Sequence, residues 1–209
     1  MRRVIVIALV ALLGIVAAPT TASAQFDLSK VGSLFGGGSK SSKPKKSPYQ
    51  TLAESAPDKR QLVGTWSYQS VDIEYLGTSS FADAAVSQLK SYGNAELREA
   101  GITPGCFTLT LRTNGKGSIA YEDYLFEGDY IYDPSTARFE LTAVADDQSV
   151  HCSGYFKFVG EDLVVMINAK DAIDAFVTIL PEASTDSTFT MIKGAVDSFP
   201  GIYISMHYR

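Results

Sequence analysis

The chain has little of what metal proteins and hydrolases use. It holds two histidines, His151 and His207, and two cysteines, Cys106 and Cys152. Two thiols have neither the number nor the spacing of a structural zinc site or a disulfide framework. The His-Glu-x-x-His pattern is absent, and so is the Gly-x-Ser-x-Gly turn that exposes a nucleophilic serine. The "GGGSK" stretch at 36–40 lacks the spacing of a phosphate loop. The acidic pairs Glu122-Asp123, Asp146-Asp147 and Glu161-Asp162 fall at turns or strand ends. No Asp-x-Asp-x-Asp-Gly loop surrounds them, so they read as solvated turns rather than calcium ligands. The sequence therefore offers no catalytic residue, no metal ligand and no cofactor motif, and a non-enzymatic protein is expected.

Long apolar runs are also scarce. The one present, Val4 to Ala18, follows Arg2 and Arg3 and precedes an Ala22-x-Ala24 cleavage pattern. This is the layout of a secretory signal covering residues 1–24, and the run falls short of the about 20 residues that cross a bilayer. No cysteine lies near the cleavage point to carry a lipid anchor. A secreted or periplasmic protein with no membrane span after cleavage is expected. Excess positive charge is missing where a nucleic-acid partner would need it. Residues 61–209 carry nine basic and twenty acidic side chains, which argues against phosphate-backbone binding. Residues 26–60 carry seven basic and three acidic ones. Their "FGGGSKSSKPKKSP" composition predicts a disordered linker over 25–60, followed by one domain over 61–209.

What is abundant in that domain is period-two alternation. "CFTLTLRT" sets Phe107, Leu109 and Leu111 against Thr108, Thr110 and Arg112, and Asn114-Gly115 then signals a hairpin. "GSIAYED", "FEGDYIYD", "ARFELTA", "SVHCSGYFKFVG", "DLVVMINA" and "GIYISMHY" continue the pattern. With a first strand from Leu62 to Tyr75, about eight strands result, most joined by tight turns. An eight-stranded antiparallel meander closes most readily into a barrel, with a two-sheet sandwich as the alternative.

Two helical stretches interrupt the meander. Between the first two strands, Phe81, Ala85, Leu89 and Tyr92 make one apolar face. Before the last strand, Asn168 caps a helix whose stripe is Ile173, Phe176, Val177 and Leu180, ended by Pro181. Phe189, Ile192 and Val196 form a further face. These stripes must be buried, and the ends of the barrel are the available apolar surface. The first insertion is expected to lie across one opening, the second at the same end or against the wall beside it.

The "LVGTW" of 62–66, the helical insertion, "GITPGCF" at 101–107, "NGKG" at 114–117 and "GDYIYD" at 128–133 together resemble a family of secreted lipocalin-like proteins of unknown function from Bacteroidetes. The resemblance implies an eight-stranded antiparallel lipocalin-like barrel with helical insertions after strand 1 and before strand 8, and implies no activity. Two signatures of lipocalins proper are missing: the Thr-Asp-Tyr motif, and an arginine within the last strand, where only the terminal Arg209 is available.

A small apolar or amphipathic ligand inside the barrel is the leading functional reading. An envelope or extracellular interaction module with a packed core is the alternative. Inward parity selects Phe107, Leu109, Tyr121, Tyr130, Tyr132 and Phe139 as interior candidates, with Trp66 at one end, as cavity floor or as structural plug. Phe81 and Leu89 are the candidates for a lid over the opening. Alternation turns Cys106 outward and Cys152 inward, so a disulfide between them is not expected.

Overall fold

The structure is a computed structural model. It describes residues 46–209 except 80, 81, 83–85, 88, 89, 91–101, 122, 123, 146, 147 and 180–186. Eight strands form one closed antiparallel barrel in simple chain order: β1 (Gly64–Tyr75), β2 (Phe107–Leu111), β3 (Lys116–Tyr121), β4 (Tyr124–Asp133), β5 (Arg138–Ala145), β6 (Gln148–Val159), β7 (Asp162–Asn168) and β8 (Ile202–Tyr208). Helices α1 (Pro48–Glu54) and α2 (Lys59–Leu62) precede β1, and α3 (Ala169–Ile179) and α4 (Ser187–Ser198) lie between β7 and β8. Each strand pairs with the next, and β8 returns to β1 through pairs such as Ile73↔Ile204. Closure leaves no sheet edge of the kind a sandwich carries. The β2–β3 hairpin closes at Asn114-Gly115 as the sequence predicts. Gly115 takes a left-handed φ of 77°, and the Asn114 side chain accepts the N–H of Lys116. The turn is tightened by the N–H of Gly115 donating to the carbonyl of Arg112.

The chain directions divide the barrel into two ends. The upper end receives the close of β1 and β7, together with α3 and α4. Asn168 caps α3 by accepting the N–H of Lys170, and Asp171 fastens it to β6 by accepting both the N–H and the hydroxyl of Ser153. Ile173 and Phe176 are buried, as are Phe189, Ile192 and Val196 of α4, and the Phe176 and Phe189 rings meet at 5.4 Å. All five join the same apolar cluster as the barrel interior. Of the first insertion, Ala82 and Val86 are helical and buried. Phe81, Ala85, Leu89, Tyr92 and, in the second segment, Leu180 lie outside the described residues.

Within the linker expected over 25–60, residues 46–60 are described, and most of them are helical. Ser47 opens α1 and Asp58 opens α2, each through a complete capping box with Gln50 and Gln61. In a capping box two orphan helix donors are satisfied reciprocally. The segment then has something to bury. Leu52 packs with Val164, Met166 and Tyr203, which point outward from β7 and β8. Tyr49 meets Tyr155 at 5.9 Å, and Tyr155 meets Tyr203 at 5.6 Å. The segment thus covers the outer face of β6–β8 instead of trailing as a linker. This explains why Leu163 to Ile167 of β7 are all buried rather than alternating.

The same segment closes the lower end. Pro57 accepts the hydroxyl of Tyr132 at 2.7 Å, and Leu62 is buried in the core. Arg209 prolongs β8 beside Ser67 and donates to Asp162 at 2.8 Å.

Candidate ligand cavity

The barrel interior is mostly filled by rings. Phe139 stacks on Phe156 at 4.5 Å, and Tyr132 meets the same Phe156 at 5.5 Å. Phe107 and Tyr121 lie 4.8 Å apart, with Tyr68 edge-on to Phe107 at 5.5 Å. One region is not filled. A cavity of about 90 Å³ is walled by Leu109 and Leu111 of β2, Tyr130 of β4, Phe139 and Leu141 of β5, and Met206 of β8, among other side chains.

The void has a cause in the sequence. Register places Leu111, Gly117, Gly128 and Ala143 in one inward row across β2 to β5. Three neighbouring positions therefore contribute almost no side-chain volume to the space they face. At Gly128 a side chain is also blocked by the neighbouring strand, since a Cβ would stand 2.7 Å from the carbonyl oxygen of Thr142. Strand parity puts Gly128 on the inner face, but only the cross-strand register reveals that it meets Gly117 and Ala143.

Of the residues singled out from sequence, Leu109, Tyr130 and Phe139 line this cavity. Phe107 and Tyr121 are core residues away from it, and Phe81 and Leu89 lie outside the described residues. Trp66 sits at the lower end. Its indole N–H donates to the carbonyl of Leu62 at 3.0 Å and its ring lies 5.9 Å from Phe158. Trp66 does not line the cavity. Tyr132 anchors the N-terminal segment through Pro57.

The tyrosine hydroxyls are engaged by the chain itself. Tyr130 donates to the carbonyl of Arg112 at 3.0 Å, and Tyr208 reaches the Met206 sulfur at 3.6 Å. Burial, with smaller contributions from Asp133 and Asp58, pushes the Tyr132 phenol up to about 12. With Tyr130, Tyr132 and Tyr208 occupied in this way, the cavity suits an apolar group better than an amphipathic one.

Both cysteines are free thiols. Cys152 points inward, and burial followed by the charge of Asp171 raises its thiol to about 12. Cys106 precedes β2 and packs half-buried against the core, not outward as alternation indicated. The strand parity does not reach it, because β2 begins at Phe107. Burial raises its thiol as well, so neither thiol has the lowered pKa of a nucleophile. His151 is exposed, with Thr142 at 3.0 Å from Nδ1. Among the described residues no group of three His, Cys, Asp or Glu side chains could hold a metal ion, and no helix is long and apolar enough to cross a membrane.

Residues 44–208 match the model of a family described as Lipocalin-like domain (DUF4923). Neither a curated protein nor a solved structure matches the chain.

Proposed function

The chain belongs to this lipocalin-like domain family, and from that premise we propose that it is a secreted or periplasmic, non-enzymatic barrel that holds the apolar part of a small ligand in its interior cavity. The observation that carries the proposal is the void behind Gly117, Gly128 and Ala143 in an otherwise ring-filled barrel. The cavity is lined almost wholly by apolar side chains, so an apolar group placed there gains by leaving water.

The size limits the ligand. Pockets enclosing drug-sized molecules span roughly 300–1,000 Å³, and an apolar cavity of roughly 150 Å³ accepts benzene. The 90 Å³ here fits the end of an alkyl chain or a group of a few carbons. A whole lipid needs more room than this strand-lined cavity gives, and movement of α3 and α4, which pack on the same core, is the proposed way to supply it. The same small volume, and the fusion of α3 and α4 with the core, favour the second reading: a packed interaction module whose helices are a permanent plug.

Thermal-shift titration with short alkanes separates the two. Pentane or hexane is expected to raise the Tm of the wild type and not of Ala143→Leu, which fills the void. Equal shifts, or none, in both proteins would support the packed module. Intact-mass measurement of secreted protein, with an expected N-terminus at Gln25, tests the processing.

A further inference from the structure

We propose that a second cleft, at the lower end beside α2, binds the anionic head of a single-tailed amphiphile. The cleft measures about 430 Å³, within the roughly 300–1,000 Å³ of ligand pockets. Lys59, Arg60 and Val63 bound it on one side. The tip of the β2–β3 hairpin and Ile131 and Tyr132 of β4 bound it on the other.

The charge pattern selects the ligand. Every other lysine and arginine among the described residues has a carboxylate within 4.0 Å. Lys59 and Arg60 have none among those residues, although residues 61–209 carry twenty acids against nine bases. Two carboxylates act on this neighbourhood without closing an ion pair: Asp58, which accepts the backbone N–H of Arg60, and Asp133, whose charge is felt at Lys59 and which accepts from Ser135 and Thr136. Two adjacent cations that line one cleft, neither with a carboxylate within 4.0 Å among the described residues, are complementary to an anion. A guanidinium beside an ammonium suits a carboxylate or a phosphate monoester.

The cleft also has an apolar side. Ile131 is 74 % exposed and Val63 36 %, whereas Tyr132 borders the cleft but is itself buried. Charge next to exposed aliphatic surface is the pattern that an amphiphile, and not a bare anion, complements. Tyr130 is the only described residue that borders both this cleft and the interior cavity. The two linings otherwise differ, so the cleft is a separate site.

Isothermal titration of the full mature chain at low salt, with probes below their micelle concentrations, tests the assignment. Octanoate and octyl phosphate are expected to bind saturably. The Lys59→Gln/Arg60→Gln double variant, altered only at exposed side chains, should weaken both by about tenfold or more. Ala143→Leu should leave both unchanged, which keeps this outcome distinct from failure of the interior cavity. Absence of octanoate binding would overturn the proposal, and so would equal affinity in the double variant. Octanol binding as tightly as octanoate would remove the anionic requirement. Inorganic phosphate binding as tightly as octyl phosphate would show an adventitious ion only.

Discussion

The indole N–H of Trp66 donates to the carbonyl of Leu62 at 3.0 Å, tying the first strand of the barrel to the helix that closes its lower end. Leu62 is 1 % exposed and belongs to the main core. Leu62→Ala should therefore cost about 2–5 kcal/mol, the usual range for a buried leucine truncation. Trp66→Phe keeps a ring against Phe158 but orphans a carbonyl, at about 1 kcal/mol. Urea unfolding followed by far-UV circular dichroism measures both. A loss at Leu62 below that of Trp66→Phe would contradict the plug.

Alkaline stability should report Tyr132. Its phenol moves from 10.0 in the free side chain to about 12 in the fold. Between those values the unfolded chain gives up a proton that the folded chain keeps. The associated stability is thus complete below the lower value and lost as pH rises through the upper one. Tyr68, also raised to about 12, acts in the same window. Tyr132→Phe should flatten the decline while lowering neutral-pH stability by about 1 kcal/mol, the worth of its bond to Pro57. A pH profile parallel to the wild type would contradict this.

Two glycines should respond oppositely to alanine. A Cβ at Gly154 would fall 1.8 Å from the carbonyl oxygen of Met166, which is backbone of the adjacent strand and cannot rotate away. Gly154→Ala should cost more than about 3 kcal/mol or prevent folding, as large backbone clashes do. At Gly194, within α4, an added Cβ would meet nothing within 4 Å. Gly194→Ala should stabilise by about 0.5–1 kcal/mol through helix propensity. Midpoints of chemical denaturation decide both signs.

Ser205 lies fully buried on the outer face of β8, and its hydroxyl is the one buried side-chain polar atom without a partner among the described residues. An unpaired buried hydroxyl carries a desolvation cost of about 1–3 kcal/mol. Ser205→Ala is expected to match or exceed wild-type stability. A loss above about 1 kcal/mol would mean that the hydroxyl is hydrogen-bonded in solution.

The barrel was legible because its interior positions alternate: Phe107, Leu109 and Leu111 on β2, and Tyr130 and Tyr132 on β4, all face inward as parity requires. The N-terminal segment was not, because its composition is dominated by the Gly/Ser/Lys stretch before it. Two local signals stood against that composition, Ser47-x-x-Gln50 and Asp58-x-x-Gln61, both capping boxes. A third was the unbroken Leu163–Ile167 run of β7, which demands cover on both faces. The cavity was hidden for a different reason. Gly117, Gly128 and Ala143 are distant in sequence and adjacent only through strand register. The lower cleft depends on Lys59 and Arg60 being ordered next to Ile131, which no linker reading supplies.

The most direct test of the central claim is mass spectrometry of an organic extract of the protein purified from its native compartment, wild type beside Ala143→Leu. Binding in the interior cavity predicts one apolar compound, or a narrow series, that recurs with the wild type and is missing from the filled variant. Extracts without such a compound, or the same compound in equal yield from both proteins, would contradict it.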